Sequence, residues 1–183
     1  CIRDMYIVYE NHTRNKELLK YAQTDALTGL YNKETTEQLT DELLSEDENK
    51  SHAFLILDVD CFKQINDIYG HAVGDIVLQK FGKLLKGTFR EGDILGRIGG
   101  DEFGVIMKNI QTKDIAMKKA GELLAKTQAY KIDELKGNNI SISIGISTAP
   151  QDGDCYMDLY KRADQALYQA KRSGKARVCN YFS

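Results

Sequence analysis

Apolar residues along the chain fall into clusters of two periods. Ala53-Phe54-Leu55-Ile56-Leu57-Asp58-Val59-Asp60 is apolar until two aspartates close it on alternate positions, which predicts a buried strand. Ile140-Ser141-Ile142-Ser143-Ile144-Gly145-Ile146 alternates with period two, as a half-buried strand does. Ile94-Leu95-Gly96-Arg97-Ile98 and Phe103-Gly104-Val105-Ile106-Met107 predict two further strands. Gly99-Gly100-Asp101-Glu102 joins them as a hairpin, whose glycines are expected to supply positive φ angles. Val178 to Tyr181 predicts a last edge strand.

Helical spacing separates these strands. Leu39, Leu43 and Leu44 mark one helix; Ile76, Val77, Phe81, Leu84 and Leu85 mark a second, over residues 74–89. Thr112 or Asp114 caps a third, carrying Ile115, Ala116, Leu123 and Leu124. A fourth, residues 156–173, buries Leu159, Ala163, Ala166, Leu167 and Ala170, with Gly174 as its C-cap. Asn66 to Gly70 reads as a turn, and Ser45 to Lys50 as a solvated loop. Residues 2–23 lack glycine and proline and read as a helix. The 3-4 spacing there picks out Ile2, Met5, Tyr9, His12, Lys16 and Leu19, a poor coiled-coil seam with a polar middle. The segment reads as a solvated helix or as a connector that pairs with its copy in a second chain. A start at Cys1 instead of Met favours the connector and a longer parent protein. The expected division is a connector over residues 1–23 and a catalytic domain over 24–183. A hairpin among the strands argues against an all-parallel sheet. The expected fold is α+β, a mainly antiparallel central sheet flanked by helices.

With 183 residues, 42% apolar and 28% charged, the chain has material for one globular core and is not wholesale disordered. A net charge of −2 lacks the basic excess of a duplex nucleic-acid binder. No apolar run approaches the roughly 20 residues that cross a bilayer. Cys1, Cys61, Cys155 and Cys179 are widely spaced, with no C-x-x-C pair. They read as free thiols in a reducing cytoplasm, not as a disulfide frame or zinc site.

The chemistry concentrates at Asp58, on a strand end, and at Asp101-Glu102, in the hairpin. If those strands are neighbours, three carboxylates meet at one rim, and their mutual repulsion calls for a cation. Oxygen donors without Cys or His select a hard ion, Mg²⁺ or Mn²⁺, which completes its shell with phosphate oxygens. Lys63, five residues after Asp58, is placed to reach such a phosphate. Gly99 and Gly100 leave room for a ligand to approach the backbone. Asn66 and Asp75 bracket a turn. An Asp75 acceptor would suit the N1–H and N2–H₂ donors of guanine, or the residue simply caps a helix. Lys171 and Lys175 either offset the negative end of the last helix or bind terminal phosphates.

These residues carry a family resemblance. Tyr21 to Asn32 reads Y-A-Q-T-D-A-L-T-G-L-Y-N; Leu57 to Asp75 reads L-D-V-D-C-F-K-Q-I-N-D-I-Y-G-H-A-V-G-D. Gly99-Gly100-Asp101-Glu102-Phe103 and R-A-D-Q-A-L-Y-Q-A-K-R-S-G-K from Arg162 to Lys175 complete four blocks in order. Together they resemble the GGDEF domain family of diguanylate cyclases, over about residues 24–181. The resemblance implies a palm-like sheet shared with class III nucleotide cyclases and some polymerases. It implies condensation of two GTP into cyclic di-GMP and two pyrophosphates, by a homodimer holding one GTP per subunit. By the same resemblance, Asp58, Asp101 and Glu102, with the Val59 carbonyl, would hold the metal. Asp101 would accept the 3′-hydroxyl proton with Glu102 assisting, and Lys63 would steady phosphate charge. Asn66 and Asp75 would hold guanine, His71 would lie near the nucleotide, and Lys171 and Lys175 would grip the β- and γ-phosphates. Arg90-Glu91-Gly92-Asp93 resembles the family's product-inhibition site, with Arg90 and Asp93 binding cyclic di-GMP and Arg97 as a further contributor. An upstream sensor domain is implied beyond this chain. The other readings are a nucleotide-binding receptor module and a related cyclase that uses ATP.

Overall fold

The structure, a computed structural model, describes residues 21–46 and 50–181. The expected N-terminal helix lies almost wholly outside them; residues 21–23 are helical. The chain then runs α1 (Lys33–Glu46), β1 (His52–Val59), α2 (Phe62–Tyr69), α3 (His71–Thr88), β2 (Ile94–Arg97) and β3 (Glu102–Met107). There follow α4 (Lys113–Ala129), a single 3-10 turn (Asp133–Leu135), β4 (Ile142–Ala149), α5 (Tyr156–Arg172) and β5 (Val178–Asn180).

The strands form one sheet in the order β2-β3-β1-β4-β5. Every pairing is antiparallel except β4 with β5, which lie parallel on either side of the α5 crossover. The α+β layout expected from the sequence is therefore the one found. β1 is central and all eight of its residues are buried, which explains its unbroken apolar run. On one face Leu55, Leu57 and Val59 meet α3 and α4 through Val77, Phe81, Ala116 and Leu123. On the other, Phe54 and Ile56 meet α1 and α5 through Leu44, Tyr156, Leu159, Ala163 and Leu167.

Gly145 brings α5 unusually close to β4. A Cβ there would stand 2.0 Å from the Ala163 carbonyl oxygen and 2.4 Å from the Leu167 nitrogen. Only glycine lets helix backbone rest directly on strand backbone at this point. This contact sets the height of α5 above the sheet, and so the place of Lys171 in its last turn.

Four expectations need correction. β4 is buried along all eight of its residues, where the period-two alternation suggested a half-buried strand; Ser143 and Ser147 are accommodated by donating to Asp60 and to the Leu159 carbonyl oxygen. Residues 62–69 form a helix, α2, where the sequence suggested only a turn at 66–70. Phe62, Ile65 and Tyr69 recur at helical spacing and pack on the core, and that burial outweighs the turn preference of Asn66 and Asp67. Gly70, at φ 85, ends this helix and occupies the N-cap position of α3, which starts at His71, three residues earlier than expected. Asp75 thus lies inside α3 and is not its cap. Finally, neither Gly99 nor Gly100 is among the residues with positive φ. Four residues, 98–101, connect β2 to β3, and a loop of this length reverses without left-handed residues. Among the described residues, no helix is long and apolar enough to cross a membrane.

Candidate functional site

The site is built at one end of the central strands. Asp58 stands directly opposite Glu102 of β3 on one side and Ser143 of β4 on the other. Next to it, the Val59 N–H donates to the Asp101 carbonyl oxygen at 3.2 Å, which ties the hairpin loop to the end of β1. The strands are neighbours, as the carboxylate argument required. Asp58 is 7% exposed, while Asp101 and Glu102 are half-buried. Lys171 reaches over from α5 and pairs its Nζ with Asp58 Oδ2 at 2.7 Å.

Burial pushes the Asp58 carboxyl above its usual range; Lys171 opposes this, and the Asp101 and Asp60 charges add to it. Burial also raises Glu102, with the Asp58 charge next in importance. Negative charge is therefore held at this rim against its preference. The carboxylates are not drawn into one tight ligand set, however. Among the described residues, the one group of three His, Cys, Asp or Glu side chains with ligating atoms all within 4.8 Å is Asp154, Cys155 and Asp158, around the start of α5. The cation that Asp58 meets in this structure is its own Lys171.

The remaining expected residues surround the rim at different depths. Lys63, on α2, and His71, opening α3, are both exposed. Asn66 lies flat on α3: a Cβ on Gly74 would meet its Oδ1 at 1.9 Å. Asp75, the next residue along α3, is exposed. A Cβ on Gly99 would stand 2.9 Å from Glu102 Oε2, whereas Gly100 faces open space. Close approach of the Glu102 side chain, not backbone handedness, is what requires glycine at position 99. The C-cap of α5 is Ser173, and Gly174, expected there, follows one position later with φ 110. Just beyond it, Lys175 directs its Nζ to Cys61 Sγ at 3.0 Å.

Two side chains have parts that the sequence did not disclose. Arg97 donates to the Gly100 carbonyl oxygen from Nη2 at 2.7 Å and to Asp25 Oδ2 from Nη1 at 3.2 Å. Asp25 also accepts from the Thr28 amide and hydroxyl, at 2.8 and 2.7 Å. Arg97 thus clamps the hairpin loop to the D-A-L-T segment, on contacts separate from the Arg90 and Asp93 pair. Asp60 acts on Asp58 through its charge, but its hydrogen bonds turn toward Ser141, Ser143 and Ala176. The turn before β2 is closed on itself. Arg90 Nε pairs with Asp93 Oδ1 at 3.0 Å, and the same oxygen accepts the Lys108 amide at 3.1 Å. Asp93 is buried there, while Arg90 remains largely exposed.

The family profile described as "Diguanylate cyclase, GGDEF domain" matches residues 22–177. The chain belongs to the GGDEF diguanylate cyclase family. This GGDEF domain is 37% identical over 171 residues to diguanylate cyclase A of Treponema denticola, covering 90% of the chain and 46% of that relative. It spans about half the length of the curated relatives it matches. Its fold matches the coiled coil and GGDEF domain of DgcB from Caulobacter crescentus, solved with c-di-GMP, at a TM-score of 0.88 and 24% identity, covering 98% and 96% of the two chains. The DgcB GGDEF domain alone, also solved with c-di-GMP, gives 0.81 at 27% identity, over 88% and 94%. The signature Gly99-Gly100-Asp101-Glu102-Phe103 of this GGDEF domain occupies the loop and the first two residues of β3.

Proposed function

We propose that this chain is the catalytic domain of a diguanylate cyclase, which condenses two GTP into cyclic di-GMP and two pyrophosphates. The observation that carries the reading is the pairing of Asp58 with Glu102 across β1 and β3, with Lys171 2.7 Å from Asp58. Carboxylates and a lysine at one rim are what a metal-bound triphosphate needs: ligands for the ion and a cation for the phosphates.

The donor set fits a hard divalent ion. Its members are oxygens, and two of the carboxyls are raised by burial and mutual charge, a condition that a cation relieves. Asp58, Asp101, Glu102 and the Val59 carbonyl would hold Mg²⁺ or Mn²⁺. Bound there, the ion neutralises phosphate charge and acidifies the attacking hydroxyl. Asn66 and Asp75 would orient guanine, Asp75 accepting from its N1–H and N2–H₂ edge, with His71 beside the nucleotide. Lys63, Lys171 and Lys175 would bind phosphate oxygens. Lys171 would exchange part of its Asp58 contact for phosphate.

In the reaction, the 3′-hydroxyl oxygen of one GTP attacks the α-phosphorus of the other, and pyrophosphate leaves. The second nucleotide repeats the step, so two P–O bonds form and two break. Asp101 would accept the hydroxyl proton, with Glu102 assisting. Two facing sites would be supplied by a homodimer, and catalysis is then largely positioning and electrostatics. Arg90 and Asp93 would form a product-inhibition site. The exposed guanidinium suits a guanine or phosphate edge, once Asp93 shares its present partners. The greater length of the curated relatives supports an output-module role within a longer signalling protein.

Incubation of a concentrated dimeric preparation with GTP and Mg²⁺, followed by chromatography, tests the proposal. Cyclic di-GMP and pyrophosphate are the expected products. Absence of any cyclic dinucleotide refutes the enzyme reading, and preferential use of ATP refutes the guanine assignment.

A further inference from the structure

Asp60 lies one residue past β1 and is 7% exposed, yet the chemistry proposed above makes no use of it. Three donors converge on its carboxylate. Ser143 Oγ donates to Oδ1 at 2.7 Å, Ser141 Oγ to Oδ2 at 2.7 Å, and the Ala176 amide to Oδ2 at 3.1 Å. A buried carboxylate is costly to desolvate and is retained where its hydrogen bonds are needed. Two acceptor oxygens on one short stem satisfy all three donors.

The Ala176 amide belongs to an unusual turn. Gly174, Lys175 and Ala176 have φ angles of 110, 62 and 48°. Three successive residues are thus left-handed, and two of them carry a Cβ. Side-chain-bearing residues keep this conformation only where their surroundings impose it. The middle residue is Lys175. Its amide donates to the Ala170 carbonyl at 3.0 Å, and its Nζ meets the sulfur of Cys61, the residue next to Asp60. The two residues at the end of β1 therefore hold the turn at its backbone and at its lysine head.

We infer that Asp60 is a positioning residue: its carboxylate fastens the 174–176 turn to the end of β1 and so aims Lys175 at the terminal phosphates of GTP. The inference rests on the reading of Lys175 as a phosphate-binding group. It assigns Asp60 a part in triphosphate recognition without contact to the nucleotide.

Affinities of GTP, GDP and GMP, measured by calorimetry with Mg²⁺ on the parent and Asp60→Asn, test it. The expected result is a loss of about tenfold for GTP, equivalent to about 1.4 kcal/mol, with GMP nearly unchanged. KM for GTP then rises more than kcat falls. Equal losses for all three nucleotides would mark a merely structural role and overturn the inference. Lys175→Ala should show the same selective loss, and Asp60→Asn should add nothing in that background; additive losses overturn it as well. Should Asp60→Asn fail to fold, amide exchange on the parent decides: strong protection at Ala176 supports the latch, and exchange at the rate of an open loop overturns it. A parent that does not prefer GTP to GMP refutes the Lys175 reading, and the inference falls with it. A parent preference that Asp60→Asn leaves undiminished refutes the inference alone.

Discussion

Replacing Gly145 with alanine is expected to lift α5 off the sheet and damage the site at a distance. The new methyl group would stand 2.0 Å from the Ala163 carbonyl oxygen, against the 3.4 Å at which ordinary contact begins, a deficit of about 1.4 Å. The obstructing atoms are helix backbone, including the Leu167 nitrogen at 2.4 Å, so no side chain can swing aside. Overpacking of this kind costs about 1–3 kcal/mol, and a clash against backbone belongs at the upper end. For a domain of this size 1 kcal/mol corresponds to about 2–4 °C in Tm, so a fall of about 6–12 °C is expected. Lys171 lies one turn beyond Leu167. A comparable shift there would stretch its 2.7 Å contact with Asp58 past hydrogen-bonding range. Calorimetric melting and GTP turnover read the two effects separately. A Tm within about 1 °C of the parent, with turnover intact, would refute the argument that Gly145 sets the height of α5.

Other expectations concern the rim and its surroundings. Asp101→Asn should abolish cyclic dinucleotide formation while leaving Tm near the parent value; retained turnover would remove Asp101 from the chemistry. Burial and the Asp58 charge hold the Glu102 carboxyl above its ordinary value, so the folded chain keeps a proton that the unfolded chain releases. In the metal-free protein this group's contribution is most favourable below the ordinary carboxylate range and is lost as pH rises through the folded value. Glu102→Gln should therefore flatten the fall of Tm with pH relative to the parent; an identical slope in the two would contradict the burial argument. Arg90→Ala should relieve inhibition by cyclic di-GMP, and unaltered inhibition would show that residues 90–93 serve only as a turn. GTP should slow maleimide labelling of the exposed Cys61, because Lys175 lies 3.0 Å from its sulfur. Labelling at equal rates with and without GTP would move the triphosphate away from that turn.

The parts of the fold legible in the sequence were those set by local pattern. β1 announced itself because burial on both faces demands an unbroken apolar run, and α5 because its apolar stripe keeps helical period. The meeting of Asp58 and Glu102 was legible only on the condition that the D-x-D strand and the G-G-D-E hairpin are neighbours, and the β1–β3 pairing supplies that condition. α2 was hidden by residues that favour turns in isolation, and packing of Phe62, Ile65 and Tyr69 reversed that preference. The part played by Asp60 was out of reach for a different reason. Its partners Ser141, Ser143 and Ala176 lie 81, 83 and 116 positions away, and only the folded sheet brings them together. Arg97 and Asp25, 72 positions apart, form the hairpin clamp in the same way. Local pattern thus disclosed the residues proposed for the chemistry, while the contacts that hold them in place depended on long-range pairing.

Calorimetric titration of GTP into the parent chain and into Asp58→Asn, each with Mg²⁺ and with chelator, decides whether the rim carboxylates hold a metal-bound triphosphate. Tight uptake by the parent is expected only when Mg²⁺ is present, with loss of that metal dependence in Asp58→Asn. Equal GTP affinity of the parent in chelator and in Mg²⁺ would contradict a metal-bound triphosphate at this rim.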